Sequence, residues 1–122
     1  MRGLGELEAA VMDRLWSRAA PATVREVCTD LQADRRIAYT TVMTVMDNLF
    51  KKGVLRRELD GRAYRYTPIL DQAEYSADLM RQALDASGDQ TAAFLRFLER
   101  ITPEEAEALA EAYRRITGRR PR

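Results

Sequence analysis

Residues 39–57, YTTVMTVMDNLFKKGVLRR, decide the fold of this chain. An apolar stripe at helical spacing is formed by Val42, Val45, Met46 and Leu49. At about 100° per residue, the opposite side presents Thr40, Thr44, Asp47 and Lys51. Gly53 stands where a helix C-cap is expected, so the pattern predicts a helix over residues 39–52. Its outward side chains are mostly short and polar, which suits a face that lies close against a binding partner.

Two helices are predicted before this segment. The first covers residues 4–17, where the residues at helical spacing are Leu4, Leu7, Val11, Met12, Leu15 and Trp16. Pro21 separates it from the second helix, which ends at residue 32 and is lined by Val24, Val27, Cys28 and Leu31. Thr23 is the expected N-cap of the second helix, and Trp16 is expected in the core.

After Gly53 the apolar period changes from helical to alternating, which predicts a β-hairpin. Asp60 and Gly61 are a strong signal for a two-residue turn. With that loop the predicted pairs are Leu59–Arg62, Arg57–Tyr64 and Leu55–Tyr66. One face, expected to pack on the helices, carries Leu55, Leu59, Tyr64 and Tyr66, and the other carries Arg56, Glu58, Ala63 and Arg65. Three helices followed by such a hairpin form the order of a winged helix-turn-helix.

The remaining residues are predicted to form short amphipathic helices. Ser87 and Gly88 interrupt the first of them. The last opens with a capping box of Thr102 and Glu105 and ends at Gly118. We therefore expect a mainly α fold with two regions: a winged-helix DNA-binding domain in residues 1–70, and helices with a disordered tail in residues 71–122.

The apolar stripes of the C-terminal helices are too small to form a large core alone. A second copy of the chain is expected to cover them, since a symmetric dimer suits a palindromic site. The residues assigned to this homodimer contact are Met80, Leu84, Phe94, Phe97, Leu98, Ile101, Leu109 and Tyr113. The alternative is that these helices fold back onto their own winged helix.

The composition excludes most catalytic and metal chemistry. The chain has no histidine and one cysteine, Cys28. Ordinary zinc sites need several Cys or His ligands, and imidazole bases and triads need histidine. We expect no enzyme activity, metal or cofactor, and we expect Cys28 to be a structural thiol. No apolar run is long enough for membrane insertion and the N-terminus does not have the pattern of a secretory signal, which indicates a cytoplasmic protein.

Basic residues are concentrated in residues 35–65, which contain eight Lys or Arg and three Asp or Glu. This indicates a patch for a polyanion, although a solvated charged surface would have the same composition. A recognition helix enters the major groove of DNA, where Thr40 and Thr44 are short enough to reach base edges or phosphates. Phosphate contacts are expected from Lys51, Lys52, Arg56 and Arg57, and wing contacts from Arg62 and Arg65.

Several of these residues have a second interpretation. Tyr39 and Thr40 could each cap the helix instead of contacting DNA. Met43 could touch a thymine methyl or lie in the core, and Asp47 could accept from a cytosine amino group or lie solvated at the flank. Tyr64 and Tyr66 are expected in the core rather than as stacking platforms.

The segments LGELEAAVMDRLW, YTTVMTVMDNLFKKGVL and DGRAYRYTP resemble those of the penicillinase-repressor family, also called BlaI/MecI/CopY, in order and spacing. The resemblance implies a homodimeric transcriptional repressor that binds a double-stranded DNA operator with dyad symmetry. It implies DNA contacts by Tyr39, Thr40, Thr41, Met43, Thr44 and Arg62. Family members often have Ser at the N-cap of the recognition helix, where this chain has Ala38, and Thr40 or Thr41 is the candidate replacement.

The same resemblance implies how repression is relieved. In the β-lactam branch, a membrane sensor with a metalloprotease domain triggers cleavage at an Asn–Phe bond. The matching position in this chain is Arg96–Phe97. Phe97 agrees with the family pattern and Arg96 does not. The copper-responsive branch needs a C-terminal cysteine cluster that this chain lacks. Two alternatives stay open: a winged-helix protein-interaction module, and a repressor controlled by a small ligand rather than by proteolysis.

Overall fold

The computed structural model describes residues 4–119, which form six helices and one two-stranded sheet. In chain order the elements are α1 (Glu6–Ser17), α2 (Val24–Gln32), α3 (Tyr39–Lys51), β1 (Leu55–Asp60), β2 (Ala63–Pro68), α4 (Gln72–Asp85), α5 (Gln90–Leu98) and α6 (Pro103–Arg119). The predicted mainly α fold, with a hairpin after the third helix, is confirmed. The chain divides into two compact units, Met1–Met80 and Arg81–Arg122. Within the described range, no helix is both long and apolar enough to cross a bilayer.

Local capping determines where α1 and α2 begin. In α1 the Glu8 carboxylate accepts the Gly5 N–H at 3.0 Å. In α2 the Thr23 hydroxyl accepts the Glu26 N–H at 3.2 Å, and the Glu26 carboxylate accepts the Thr23 N–H at 2.9 Å. Thr23 is therefore the N-cap as predicted, and Glu26 completes a capping box.

The start of α3 has no side-chain cap. Ala38 is the N-cap residue and offers no hydrogen-bond acceptor on its side chain. Thr40 and Thr41 do not replace the missing serine, because both already lie inside the helix and a capping hydroxyl belongs to the N-cap position. At the other end, Gly53 has a φ of 81°, in the left-handed region that favours glycine after a helix.

The core of the N-terminal unit lies among α1, α2, α3 and the hairpin. Its buried residues are Val11, Met12, Leu15, Ala22, Val24, Val27, Cys28, Leu31, Ile37, Val42, Met46, Leu49, Leu55 and Tyr66. Cys28 is buried, in agreement with the structural thiol expected from the sequence. Trp16 packs against this core but stays partly exposed, with its indole Nε1 donating to the Leu70 carbonyl oxygen at 3.0 Å and its ring beside that of Tyr75. A polar N–H that needs a partner explains why Trp16 lies at the edge of the core rather than inside it.

The hairpin turn lies one residue later than predicted. Gly61 and Arg62 form the loop, and Asp60 pairs with Ala63. Gly61 has a φ of 66°, and Arg62 is not in the left-handed region, which is the φ pattern of a type II′ turn. An Asp60–Gly61 loop of type I′ would require a positive φ at Asp60. In the observed turn, only Gly61 has a positive φ.

The predicted strand pairs are wrong by two residues for the same reason. The observed pairs include Leu55–Pro68, Arg57–Tyr66 and Leu59–Tyr64. A shift of two leaves each side chain on its predicted face, because successive residues in a strand alternate. Leu55 and Tyr66 are buried, but Leu59 is 64 % exposed and Tyr64 is 42 % exposed. The expectation that Leu59 and Tyr64 pack in the core is wrong, because this half of the hairpin, towards the turn, is not covered by the helices of its unit.

A segment before α2 pairs with the hairpin. The Ala22 N–H donates to the Tyr66 carbonyl oxygen at 3.1 Å, and the Tyr66 N–H donates to the Ala22 carbonyl oxygen at 2.8 Å. This antiparallel bridge attaches β2 to the start of the helix-turn-helix. It explains why both residues belong to the core although neither lies in a helix.

The last helix begins as predicted and ends later. The Thr102 hydroxyl accepts the Glu105 N–H at 3.1 Å, and the Glu105 carboxylate accepts the Thr102 N–H at 2.8 Å, which confirms the capping box. The prediction that Gly118 ends α6 is wrong, because the helix continues to Arg119. Glycine inside a helix costs only about 1 kcal/mol relative to alanine, which does not by itself end one. Residues 120–122 of the predicted tail lie outside the described residues.

Candidate nucleic-acid interface

The outward face of α3 is accessible and, apart from Tyr39, is built from small or medium-sized side chains. Tyr39, Thr40, Met43 and Thr44 are exposed, and Thr41 is half-buried. The side toward the core consists of Val42, Met46 and Leu49. The predicted division of this helix into an anchoring side and an open side is confirmed. Since Met43 is 44 % exposed, its assignment to the core is excluded.

A cation from α2 lies next to the start of α3. The guanidinium carbon of Arg25 is 5.2 Å from the centroid of the Tyr39 ring, within the range of a cation–π contact. Arg25 is exposed, so this pair extends the basic surface from α3 onto α2. The sequence did not single out Arg25, because its partner lies on another helix.

Two lysines expected to contact phosphate are held in ion pairs. The Nζ of Lys51 lies 3.0 Å from Oδ2 of Asp47, and the Nζ of Lys52 lies 2.6 Å from Oε2 of Glu8. The hydrogen bond from Lys51, with a further one from Arg57, lowers the pKa of the Asp47 carboxyl below its usual value. Asp47 is therefore an ion-pair partner, and not the isolated solvated residue that its sequence position allowed.

The arginines of the wing, formed by β1 and β2, differ in their surroundings. The Nε of Arg65 lies 2.7 Å from Oδ2 of Asp60, and its Nη1 lies 3.4 Å from Oε1 of Glu26. The hydrogen bond with Asp60 is the main reason that the pKa of Arg65 is raised. Among the described residues, the exposed arginines without an ion pair are Arg25, Arg35, Arg36, Arg56, Arg62 and Arg100. Arg62 is the one at the turn of the wing.

Arg57 occupies a place that the sequence did not indicate. Its guanidinium carbon is 3.9 Å from the centroid of the Phe50 ring and 4.1 Å from that of Tyr64. Its Nη1 lies 3.2 Å from Oδ1 of Asp47 and 3.4 Å from the Tyr66 hydroxyl oxygen. The phosphate contact expected of Arg57 would require it to leave this cluster.

The apolar side chains expected to form a dimer contact are mostly open to solvent. The exposed ones are Met80, Phe94, Phe97, Leu98, Leu109 and Tyr113, and the half-buried ones are Leu84 and Ile101. Leu95 and Ile116 are also exposed and were not part of the predicted stripes. Neither α4 nor α5 contains a buried residue. At the position of the expected cleavage, Arg96 of α5 is paired at 3.1 Å with Glu99, the C-cap residue of that helix.

Three packed helices, a hairpin wing and an open third helix define a winged helix-turn-helix protein. The profile of the penicillinase repressor family matches residues 4–115. The chain belongs to this family, whose members are transcriptional repressors and not enzymes.

Named relatives agree with this assignment. The transcriptional regulator BlaI of Mycobacterium tuberculosis, strain H37Rv, is 47 % identical over 97 % of this chain and 90 % of its own length. The penicillinase repressor of Bacillus licheniformis is 28 % identical over 87 % of this chain and 85 % of its own length.

Solved structures agree in fold. The DNA-binding domain of the repressor BlaI has a TM-score of 0.53 at 28 % identity, and covers 62 % of this chain and 94 % of its own. Monomeric Bacillus licheniformis BlaI, in complex with the blaP half-operator, has a TM-score of 0.51 at 28 % identity. The match covers 61 % of this chain and 89 % of that BlaI chain. A MarR-family regulator from Rhodococcus sp. RHA1 has a TM-score of 0.50 at 19 % identity. The match covers 93 % of this chain and 74 % of the regulator, and it shows a shared fold alone.

Proposed function

We propose that this chain is a homodimeric transcriptional repressor that binds a dyad operator in double-stranded DNA through α3 and the wing. The observation that carries the proposal is the open α3 face of Thr40, Met43 and Thr44, on a wing-bearing unit whose turn presents the unpaired Arg62. Short side chains allow a helix to approach base edges in a groove about 12 Å wide. The half-operator complex of the Bacillus licheniformis relative supports the same use of the fold here.

In the proposed complex, α3 lies in the major groove and its first turns face the bases. Thr40 and Thr44 offer hydroxyls to base edges and methyl groups to thymine, and Met43 lies against a thymine methyl. Tyr39 and Thr41 contact the backbone at the helix start. The exposure of Tyr39, Thr40, Met43 and Thr44 supports this arrangement.

The ion pairs suggest an order among the proposed phosphate contacts. Arg62 can neutralise a phosphate without giving up a carboxylate partner. The same holds for Arg56, which is also exposed and without an ion pair. Lys51, Lys52 and Arg65 must exchange an existing carboxylate for a phosphate. We therefore assign these three to the interface with smaller contributions to affinity, because only the difference between two ion pairs is gained.

We assign DNA binding to residues 1–70 and dimerisation to residues 71–122. Exposed apolar surface in the second region supports the dimer, since burial of such surface is favourable by roughly 25 cal/mol per Å². The proposed contact residues are Met80, Leu84, Phe94, Phe97, Leu98, Ile101, Leu109 and Tyr113. A symmetric pair would present two recognition helices to half-sites about one helical turn, 34–36 Å, apart. The protein would act in the cytoplasm, where its operator is.

Relief of repression is proposed to follow cleavage in the C-terminal helices, started by a membrane sensor metalloprotease. The bond between Arg96 and Phe97 lies inside α5, so cleavage there needs local opening of that helix. The lack of buried residues in α5 supports such opening, because few contacts resist it. Intact mass measurement of the protein from β-lactam-treated cells should find a fragment ending at Arg96. An unchanged full-length mass during derepression would remove proteolysis from the proposal.

The function is tested by selection of duplexes from a random-sequence pool with the full chain. We expect enrichment of one site made of two inverted half-sites. Enrichment of a single half-site would retain DNA recognition and remove the dimeric mode. A pool that stays random after repeated rounds would contradict the proposed function.

A further inference from the structure

One cluster joins three elements of the N-terminal unit around a single guanidinium. Arg57, on β1, is placed between the rings of Phe50 on α3 and Tyr64 on β2, at 3.9 and 4.1 Å from their centroids. A guanidinium between two aromatic faces gains from both, because each ring presents its negative face to the cation. The contact therefore connects the wing to the second half of α3.

Hydrogen bonds fix the direction of the same guanidinium. Its Nη1 donates to Asp47 at 3.2 Å and to the Tyr66 hydroxyl at 3.4 Å. The Arg57 side chain is only 22 % exposed, whereas Arg62 at the turn is exposed without an ion pair. The charge of Arg57 is thus used inside the protein, and the charge of Arg62 is directed to solvent.

The wing has different attachments along its length. Near the open end of the hairpin, the Ala22–Tyr66 bridge and the burial of Leu55 hold it to the helices. Towards the turn, Leu59 is exposed, and no helix of the N-terminal unit covers it. Arg57 lies between these two regions on β1, so its contacts with Asp47 and Phe50 limit how far the turn can move relative to α3.

We propose that Arg57 is a positioning residue that sets the wing against α3, so that Arg62 and the α3 face reach the same duplex together. This inference rests on the proposed DNA-binding function. Asp47 and Phe50 on α3 are the points of attachment, which gives Asp47 a purpose although it would repel a phosphate. Without the guanidinium, α3 still enters the groove. The wing, however, is no longer held at the distance from α3 at which Arg62 reaches the DNA backbone.

The test is a double-mutant cycle on DNA binding by the full chain, using the duplex recovered by selection. In the wild-type background, Arg62→Ala should reduce the slope of log K against log salt by about 0.9, the value for one lost phosphate contact. In an Arg57→Met background, which keeps much of the side-chain volume, Arg62→Ala should change the slope little. Thr44→Ala serves as the control, because its cost should be the same in both backgrounds.

A purely structural role for Arg57 predicts a different pattern. It would lower stability and leave the effect of Arg62→Ala unchanged, and that additive result would overturn the positioning role. Arg57→Lys keeps the charge and the pairing with Asp47, so it should restore part of the coupling to Arg62. If Arg57→Met does not fold, Asp47→Asn replaces it in the same cycle. A wild-type protein that binds no duplex would overturn both proposals, whereas a binding protein with an additive cycle would overturn only this one.

Discussion

The Nζ of Lys52 lies 2.6 Å from Oε2 of Glu8, so an ion pair joins the end of α3 to α1. The Glu8 side chain is 16 % exposed, and the same carboxylate accepts the Gly5 N–H through Oε1. The hydrogen bond from Lys52 is the largest effect on the pKa of Glu8, which is lowered from 4.5 despite partial burial. A residue proposed to contact phosphate thus also stabilises the packing of the recognition helix.

Replacing Glu8 with Gln should lower the free energy of unfolding by up to about 1 kcal/mol at neutral pH, within the range for ion pairs near the surface. Because the folded pKa of Glu8 is depressed, its contribution is present above 4.5 and is lost as the pH falls through the folded value. The free energies of unfolding of the wild type and of Glu8→Gln, measured with denaturant, should therefore become equal as the pH is lowered. Glu6→Gln is the matched control in the same first turn. Equal losses in the two variants would show that the ion pair contributes nothing.

Arg62→Ala should weaken binding to specific and random duplexes alike and reduce the salt slope by about 0.9. Lys52→Ala should reduce the slope by less, because Lys52 already has the Glu8 carboxylate as partner. The measurement is equilibrium binding over a series of salt concentrations. A larger slope change for Lys52→Ala than for Arg62→Ala would reverse the proposed order of contacts.

Thr44→Ala should lose about 1–3 kcal/mol of discrimination between the selected site and a shuffled duplex if Thr44 contacts a base. Thr44→Ser separates the two ways in which threonine could do so. If the threonine hydroxyl contacts the base, serine should retain the discrimination. If the threonine methyl group contacts a thymine methyl, serine should lose it. The base-reading role fails if Thr44→Ala weakens both duplexes equally.

Leu98→Glu should convert the proposed dimer to a monomer, since it places a carboxylate in an apolar contact. Sedimentation of the full chain reports the mass directly. Leu59→Glu is the control, because Leu59 is an exposed leucine of the wing and is not one of the proposed dimer contacts. A dimer that persists in Leu98→Glu, or no dimer in the wild type, would contradict the assignment of α5.

Short-range patterns explain why most of the fold was predictable. Thr23, Gly53 and Thr102 act through neighbours a few residues away, and the stripe of α3 needs only helical periodicity. The turn of the wing was predicted less well, because Gly61 can serve at either central position of a two-residue loop. The loop formed by Gly61 and Arg62, in place of Asp60 and Gly61, moved the strand pairs by two residues without moving any side chain to the other face.

The candidate site was predictable in its face but not in its charges. The open side of Thr40 and Thr44 follows from periodicity, whereas the pairs Lys52–Glu8 and Arg57–Asp47 join residues brought together only by packing. Counting charge along the chain therefore overestimated the number of free cations. It also left Asp47 without a role, which the contact with Arg57 supplies.

The most direct test is the affinity of the wild-type chain for the selected dyad duplex and for a shuffled duplex of equal length, at about 0.15 M salt. Sequence recognition through α3 and the wing predicts a preference of at least about 10³-fold for the dyad duplex, with affinity for both falling steeply as salt is added. Equal affinities for the two duplexes would contradict the proposal that this chain is an operator-binding repressor.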